Sequence, residues 1–333
     1  MNNNRIVILH DHVPPAAPAD QQDTLIQSNA IATALEALGF GTTRVAFDPD
    51  LPATAAALRE LNPVAIFNLV ESISGIGRLA HIAPAWIEAL AIPFTGSGPA
   101  AMLTTTDKLI TKLWLARASI PCPENYSATS VKSHDTIWIV KSTTEDASIG
   151  LEAASVMPAA QVETKIAQAK HRFGGDWFAE QYIDGREFNI ALLQMPDGVR
   201  VLPAAEIAFM QFPDGTPHIV DYAAKWDPDS FTYQNTVRLF PDSNADAKLI
   251  ERMATTALQC WDIFQLRGYA RVDFRVDGNG IPWVLEVNAN PCLAPDAGFA
   301  AALQQAGLSY EQAVAAIMYS AGVASPEVVA KAL

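Results

Sequence analysis

Between Gly268 and Pro291 the sequence runs GYARVDFRVDGNGIPWVLEVNANP, and no other stretch narrows the fold so far. Ala270, Val272, Phe274 and Val276 alternate with Arg271, Asp273, Arg275 and Asp277, the two-residue period of a strand with one face in a core. Trp283 to Asn288 predicts a second strand, with Leu285 and Val287 alternating with Val284, Glu286 and Asn288. Asn279-Gly280 favours a two-residue hairpin loop, because both positions there need positive φ. In that register Asp273 faces Glu286 and Arg271 faces Asn288, all four on one sheet face. A four-residue loop from Asp277 to Gly280 changes the partners but keeps the face. Two carboxylates so placed repel each other unless they share a hard cation. Two acids and an amide oxygen suit magnesium, which keeps waters and bridges to phosphate oxygens. Arg271 beside them adds a fixed donor for an anion. The competing reading is an exposed hairpin with incidental charges.

A chain of 333 residues predicts two or three domains, each large enough for its own core. The net charge of −14 argues against broad nucleic-acid binding, so substrate phosphates would need local Lys and Arg working with metal. Cys122, Cys260 and Cys292 are odd in number and far apart, with neither zinc spacing nor a disulfide framework, and a reducing cytoplasm is expected. The apolar run Ile6 to Leu9 is too short for a signal peptide or a membrane span, and no membrane partner is expected.

Taken in order, Ile6 to Leu9 predicts a buried first strand, followed by His10-Asp-His12 and a helix from Thr24 to Leu38. Val64 to Phe67 predicts another buried strand, ending in Asn68-Leu-Val-Glu71, and a helix follows from Ile82 to Leu90. Strands alternating with helices imply a parallel sheet, and ligands bind such sheets beyond the carboxyl ends of the strands. His10, His12 and Glu71 stand at those ends as candidate substrate contacts; ordinary loop polarity is the alternative. A helix from Pro99 to Ala118 carries Lys108 after the polar interruption Thr104 to Asp107. A strand from Thr136 ends at Lys141, and the polar loop Ser142 to Gly150 beyond it could cover phosphates or be a plain surface turn. Trp177 to Ile183 and Arg186 to Leu193 read as a hairpin across Asp184-Gly185, from which Glu180 and Glu187 could reach a base or a sugar. Asp221 to Trp226 is irregular, Ala245 to Leu266 is helical, and Tyr310 to Ala321 is a terminal helix.

Several of these stretches together resemble the ATP-grasp superfamily, and most closely the D-alanine–D-alanine ligase family. They are Ile92-Pro-Phe-Thr-Gly-Ser-Gly98 with Asp107-Lys108, Phe178-Ala-Glu-Gln-Tyr-Ile-Asp-Gly-Arg-Glu187, Asp221-Tyr222 with Lys225, and Gly268 to Phe299. The resemblance implies an α/β protein of three parts: an N-terminal parallel-sheet domain over 1–98, a central ATP-grasp subdomain over 99–186 and a C-terminal one over 187–333. It implies ATP as cofactor, with Lys108 and Lys141 on the α- and β-phosphates under the loop that carries Ser148. Glu180 would take the adenine amino group, Gln181, Tyr182 and Ile183 would surround the base, and Glu187 would hold the ribose. Lys225 would reach the γ-phosphate, Asp273, Glu286 and Asn288 would hold two Mg2+ (Mn2+ as a substitute), and Arg271 would stabilise the oxyanion. The partners implied are small-molecule carboxylate and amine substrates, and a homodimer is expected.

The departures bear on the substrate. Gln21, Gln22 and Asp23 stand where the family has an amine-anchoring glutamate, Ala147 replaces a serine, and Trp226 replaces a tyrosine. The family's His-Gly is absent near Asn68 to Glu71, Cys292 stands for a glycine, and Ala297 stands near the serine expected to touch the acceptor carboxylate. Polar groups discriminate strongly, so their joint loss points to other substrates than D-alanine. The expectation is therefore an ATP-dependent carboxylate–amine ligase for amino acids or small derivatives. A D-alanine–D-alanine ligase proper and an inactive ATP-binding regulatory protein are the alternatives. Glu71, His10, His12, Trp226 and Cys292 are the candidate substrate contacts.

Overall fold

Buried apolar runs separated by amphipathic segments build the first sheet. The computed structural model describes residues 4–47, 50–129, 136–241 and 245–323. Strands β1 (Arg5–Asp11), β2 (Gly41–Phe47) and β3 (Ala65–Asn68) are parallel in the order β2-β1-β3. Helices α1 (Ala19–Ala37), α2 (Leu51–Leu61) and α3 (Ile82–Ala89) complete this part. Val7, Leu9 and Ile66 pack against Leu58 of α2 and Ile87 of α3 on one side. Ile6, Ile8 and Phe67 meet Ile31 and Leu35 of α1 on the other. The strand β2 carries no clear period and was not evident in the sequence. Helix α1 starts five residues before the expected Thr24, because its polar first turns, with Asp20 and Asp23, belong to the helix without joining the core.

The helix expected over Pro99 to Ala118 is two helices, α4 (Pro99–Thr106) and α5 (Lys108–Arg117). Asp107 between them has an extended backbone, and its carboxylate accepts from the amides of Leu109 and Ile110. That N-cap ends one helix and starts the next, and it places Lys108 in a first turn. A three-stranded antiparallel sheet follows in the order β5-β4-β6, from β4 (Ile137–Ser142), β5 (Val156–Pro158) and β6 (Trp177–Gln181), with α6 (Ala159–Phe173) against it.

Among the described residues the largest sheet has six strands. Four are β7 (Arg186–Met195), β8 (Gly198–Val201), β9 (Ala205–Phe209) and β10 (Thr236–Leu239); the others are β11 (Tyr269–Val276) and β12 (Pro282–Asn288). The expected hairpin across Asp184-Gly185 does not form: β6 pairs with β4, whereas β7 pairs with β8, β9 and β11. Residues 182–185 instead cross from one sheet to the other. Gly185, at φ +148°, lies so close to the Val276 carbonyl that no Cβ fits. The described helices of this part are α7 (Tyr222–Trp226), α8 (Phe231–Asn235), α9 (Ala247–Ile263), α10 (Gly298–Gln305) and α11 (Tyr310–Ser320). The segment read as irregular at 221–226 thus contains a short helix, capped by Asp221. Helix α9 packs Met253, Ala257 and Cys260 on Val272 and Phe274, and α4 and α5 join the same core through Met102 and Leu115. Helix α11 sends Val314, Ile317 and Met318 into the core that also holds Ile6, Ile31 and Phe67.

The hairpin reaches its expected pairing by a different route. Its loop has three residues, 278–280: Gly280 N donates to Asp277 O at 2.9 Å and Asp277 N to Ile281 O at 3.1 Å. Only Gly280 has positive φ (+74°), as in a type I turn followed by a left-handed residue. The register at the turn is therefore one residue off, with Phe274 opposite Val284. A β-bulge at Leu285 restores it, so that Asp273 pairs with Glu286 and Arg271 with Asn288. The expected alternation of β12 is corrected by the same feature: Val284 and Val287, three apart, both enter the core. Among the described residues no helix is long and apolar enough to cross a membrane.

Candidate active site

One face of the β11–β12 ladder carries the charge. Arg271 grips Asp273 with two hydrogen bonds, Nε to Oδ1 and Nη2 to Oδ2, both 2.8 Å, and its Nη2 stands 3.6 Å from Glu286 Oε1. Asn189, opposite Asp273 on β7, donates to Asp273 Oδ1 at 2.7 Å. The amide of Asn290 donates to Asn288 Oδ1 at 2.9 Å and fixes that oxygen. Asp273 and Glu286 titrate as a pair. Burial, and then Glu286, push Asp273 up against the pull of Arg271. Burial opposes the charge on Glu286, but Lys108, Arg271, Lys225 and Lys141 hold it low. Among the described residues no three His, Cys, Asp or Glu side chains converge on a metal cage. Two carboxylates and an amide oxygen fit a hard divalent cation, which would relieve their repulsion.

The lysines converge from two other elements. Lys108, buried at the start of α5, donates to Glu145 O at 3.1 Å and pairs with Asp146 at 3.3 Å. Lys141, at the end of β4, pairs with Glu180 Oε1 at 2.5 Å. Lys112, one turn beyond Lys108, pairs with Glu180 Oε2 at 2.5 Å, and both partners are buried. Burial opposes the charge on Glu180, yet the two lysines hold its carboxyl below the usual range. Lys112 was missed in the sequence, although its i+4 spacing from Lys108 on one helix face was a signal. Glu187 Oε2 is held at 2.9 Å by Arg275, a buried guanidinium that also donates to the carbonyls of Gly185 and His218. The Tyr182 hydroxyl is locked to His218, donating to its carbonyl at 3.2 Å and accepting from its amide at 3.0 Å. Ile183 is buried, and the Gln181 amide donates to Glu124 O at 2.8 Å.

The loop beyond β4 and helix α7 close over this region. Ser148 donates to Val220 O at 2.7 Å, and the Trp226 indole donates to Ala147 O at 3.2 Å. The Tyr222 hydroxyl donates to Asp20 Oδ1 of α1 at 3.0 Å, which ties the lid to the first domain. Lys225 stays exposed on α7, and its charge is felt at Glu286.

At the other end of the cleft the first domain contributes acids. Gln27 donates to Glu71 Oε1 at 3.0 Å and accepts from Leu293 N at 2.9 Å. The Glu71 amide and the Ser72 hydroxyl donate to Asp11, and the Cys292 thiol donates to Asp23 at 2.9 Å. Glu71 is open to water along the cleft yet crowded by protein. Burial, with Asp11, Asp23 and Asp146, pushes it up to about 8 against the Gln27 bond. Water in the cleft moderates the size of that shift and leaves its upward direction. Burial pushes Asp11, Asp23 and the Cys292 thiol up as well. His10 is buried, with Nδ1 2.8 Å from Asp11 O, and burial lowers its pKa; His12 is exposed.

A family model described as "D-ala D-ala ligase C-terminus" matches residues 123–319. The chain belongs to the D-alanine–D-alanine ligase family. It is an ATP-grasp ligase of that type. A D-alanine–D-alanine ligase of Bordetella avium is 32% identical over 243 residues, covering 71% of this chain and 72% of the relative. An uncharacterized protein, y4sG of Sinorhizobium fredii, is 30% identical over 305 residues, covering 87% and 86%. The fold matches the D-alanine–D-alanine ligase of Bacillus anthracis with TM-score 0.73 at 19% identity, each chain covered to 99%. The same enzyme complexed with ATP matches with TM-score 0.70 at 17% identity, covering 98% of this chain and 99% of that one.

Proposed function

We propose that this ligase joins a carboxylate to an amine, both from amino acids or small amino-acid derivatives, through an acyl phosphate made from ATP. The observation that carries the reading is the convergence of Arg271, Asp273, Glu286 and Asn288 with the charges of Lys108, Lys141 and Lys225. A carboxylate oxygen attacks the γ-phosphorus, ADP leaves, the amine attacks the acyl carbon, and phosphate departs as the amine loses its proton. Phosphoryl transfer of this kind needs positioning and charge neutralisation more than covalent help. Lys108, Lys141 and Lys225 neutralise phosphate oxygens, and Arg271 faces the developing oxyanion. Mg2+ held by Asp273, Glu286 and Asn288, in one or two ions, would neutralise the phosphates; Mn2+ could substitute. The lid of Ser148, Tyr222 and Trp226 excludes water from the acyl phosphate.

Glu180 accepts from the adenine amino group in this reading. An ionised carboxylate has about four lone-pair sites, and the two lysines leave room for a third donor. ATP should therefore be turned over in preference to GTP, whose oxygen at that position meets a carboxylate; equal rates with both would refute the assignment. Glu187, steadied by Arg275, takes the ribose, while Gln181, Tyr182 and Ile183 enclose the base. The central part over 99–186 and the C-terminal part over 187–333 then form the two jaws beneath the 1–98 domain, in a cytoplasmic homodimer.

The amine of the substrate finds its counter-charge at Glu71, with His10, His12, Trp226 and Cys292 around the same end. This favours a substrate other than D-alanine. The second reading, D-alanine–D-alanine ligation itself, is favoured by the relatives' names. Phosphate release with the twenty L-amino acids and D-alanine, singly and in pairs, separates the two. Selective turnover of a pair other than D-alanine with D-alanine supports the first, and efficient D-alanyl-D-alanine formation establishes the second.

A further inference from the structure

Two lysines grip Glu180, where one would neutralise it. On the β4–β6 ladder Ile139 stands opposite Glu180. Lys141, two residues on, therefore shares that face as a diagonal neighbour and meets Oε1 at 2.5 Å. Lys112 comes to Oε2 of the same carboxylate from α5, also at 2.5 Å. Cys122 stands beside them, and burial pushes its thiol up and keeps it neutral. The carboxylate and its two ammoniums thus sum to one positive charge. Charges taken out of water are costly unless matched, so a surplus cation suits a place to which an anion comes.

The two lysines are not equivalent. The Lys141 side chain is 16% exposed, at the foot of the Ser142 to Gly150 loop, and its charge is felt at Glu286. The Lys112 side chain is 6% exposed, enclosed one turn beyond Lys108. Lys108 itself reaches that loop, at the carbonyl of Glu145. A phosphate in the cleft can draw on Lys108 and Lys141, while Lys112 is committed to Glu180. Without Lys112, the one ammonium of Lys141 would face two anions. Either it would stay with Glu180 and the phosphate would lose it, or it would serve the phosphate and buried Glu180 would take a proton. A protonated carboxyl carries a donor of its own and no longer offers acceptors alone.

We propose that Lys112 is a positioning residue for the nucleotide: it neutralises Glu180, so that this carboxylate remains an acceptor for the adenine amino group while Lys141 serves the phosphates. This rests on the assignment of Glu180 to the adenine made above. Lys112 touches neither base nor phosphate in this role; it lets one buried carboxylate and one lysine keep separate tasks.

The test is calorimetric binding to the full chain with Mg2+, which needs neither the acid nor the amine substrate. Three ligands are compared: ADP, IDP with an oxygen in place of the amino group, and adenosine without phosphates. Wild type should bind ADP about tenfold or more tightly than either of the others, with the ADP-over-IDP ratio the same at pH 6 and pH 8. Lys112→Met should lower one of the two ratios by about tenfold. ADP over adenosine falls if Lys141 stays with Glu180, and ADP over IDP falls if Glu180 takes a proton. Lys112→Arg, which keeps the charge, should restore most of the lost ratio. Both ratios unchanged in Lys112→Met, or an equal weakening of all three ligands, would overturn the proposal. So would a wild-type ADP-over-IDP ratio that rises from pH 6 to pH 8, a measurement that needs no variant to fold. Equal binding of ADP and IDP by wild type would remove the Glu180 assignment and the role of Lys112 with it, and absence of ADP binding would remove the ATP reading itself.

Discussion

At the residue scale the protonation of Glu71 sets the opposing demands of binding and stability. Folded, its carboxyl is raised above the ordinary 4.5, in the direction of about 8. The folded state therefore binds more protons than the unfolded chain across that window, and stability falls as pH rises through it. Glu71→Gln has no proton to lose. Its Tm relative to wild type should be higher at pH 8 than at pH 4, and a difference independent of pH would refute the shift. The same substitution should raise the KM of the amine-bearing substrate about tenfold or more while leaving that of ATP nearly unchanged, read from initial rates. For the pair across the ladder, Asp273→Asn and Glu286→Gln should each cut turnover by at least about a hundredfold with the circular dichroism spectrum retained. Near-normal rates at millimolar Mg2+ would refute the metal assignment. The facing of Asp273 and Glu286 was legible because a strand's period puts alternate residues on one side. Gln27 and Asn189 were not, since a lone polar residue in a helix or strand looks the same whether it faces water or a cleft.

Elements were legible where periodicity and caps agreed, and misread where a tertiary contact decided. The terminal helix α11 and the first strand lie where the apolar pattern puts them. The break at Asp107 depends on a side-chain cap, and the false hairpin at Gly185 on the carbonyl of a strand some ninety residues away. The lid belongs to this scale. Its Tyr222 hydroxyl bonds to Asp20 of α1, so Tyr222→Phe removes one hydrogen bond between α7 and α1 and adds no bulk. A bond of that kind is worth about 1 kcal/mol, so kcat/KM should fall about fivefold. The fall should vanish on an Asp20→Ala/Tyr222→Phe background compared with Asp20→Ala alone. Full additivity in that double-mutant cycle would show that the two side chains do not cooperate.

For the whole molecule, the N-terminal part owns the core on one side of its sheet and shares the other. Ile6, Ile8, Ile31 and Phe67 share it with Leu193, Tyr269, Val314, Ile317 and Met318. Residues 1–98 expressed alone should lack a cooperative thermal transition, and adding the remainder of the chain should restore one; a sharp transition in the isolated fragment would contradict this. The fold class was readable because strand, helix and motif order survive in sequence, whereas a core assembled from both chain ends leaves no local trace. The hairpin that orders the site carries a further consequence for handling the protein. Its turn and its bulge offset each other by one residue, so the pairing of Asp273 with Glu286 is set on the near side of the bulge and not by the length of the tip. The tip, with Gly278 and Asn279 in solvent, is thus a place to splice in an affinity sequence or a dye-bearing cysteine while Asp273 and Glu286 stay in register.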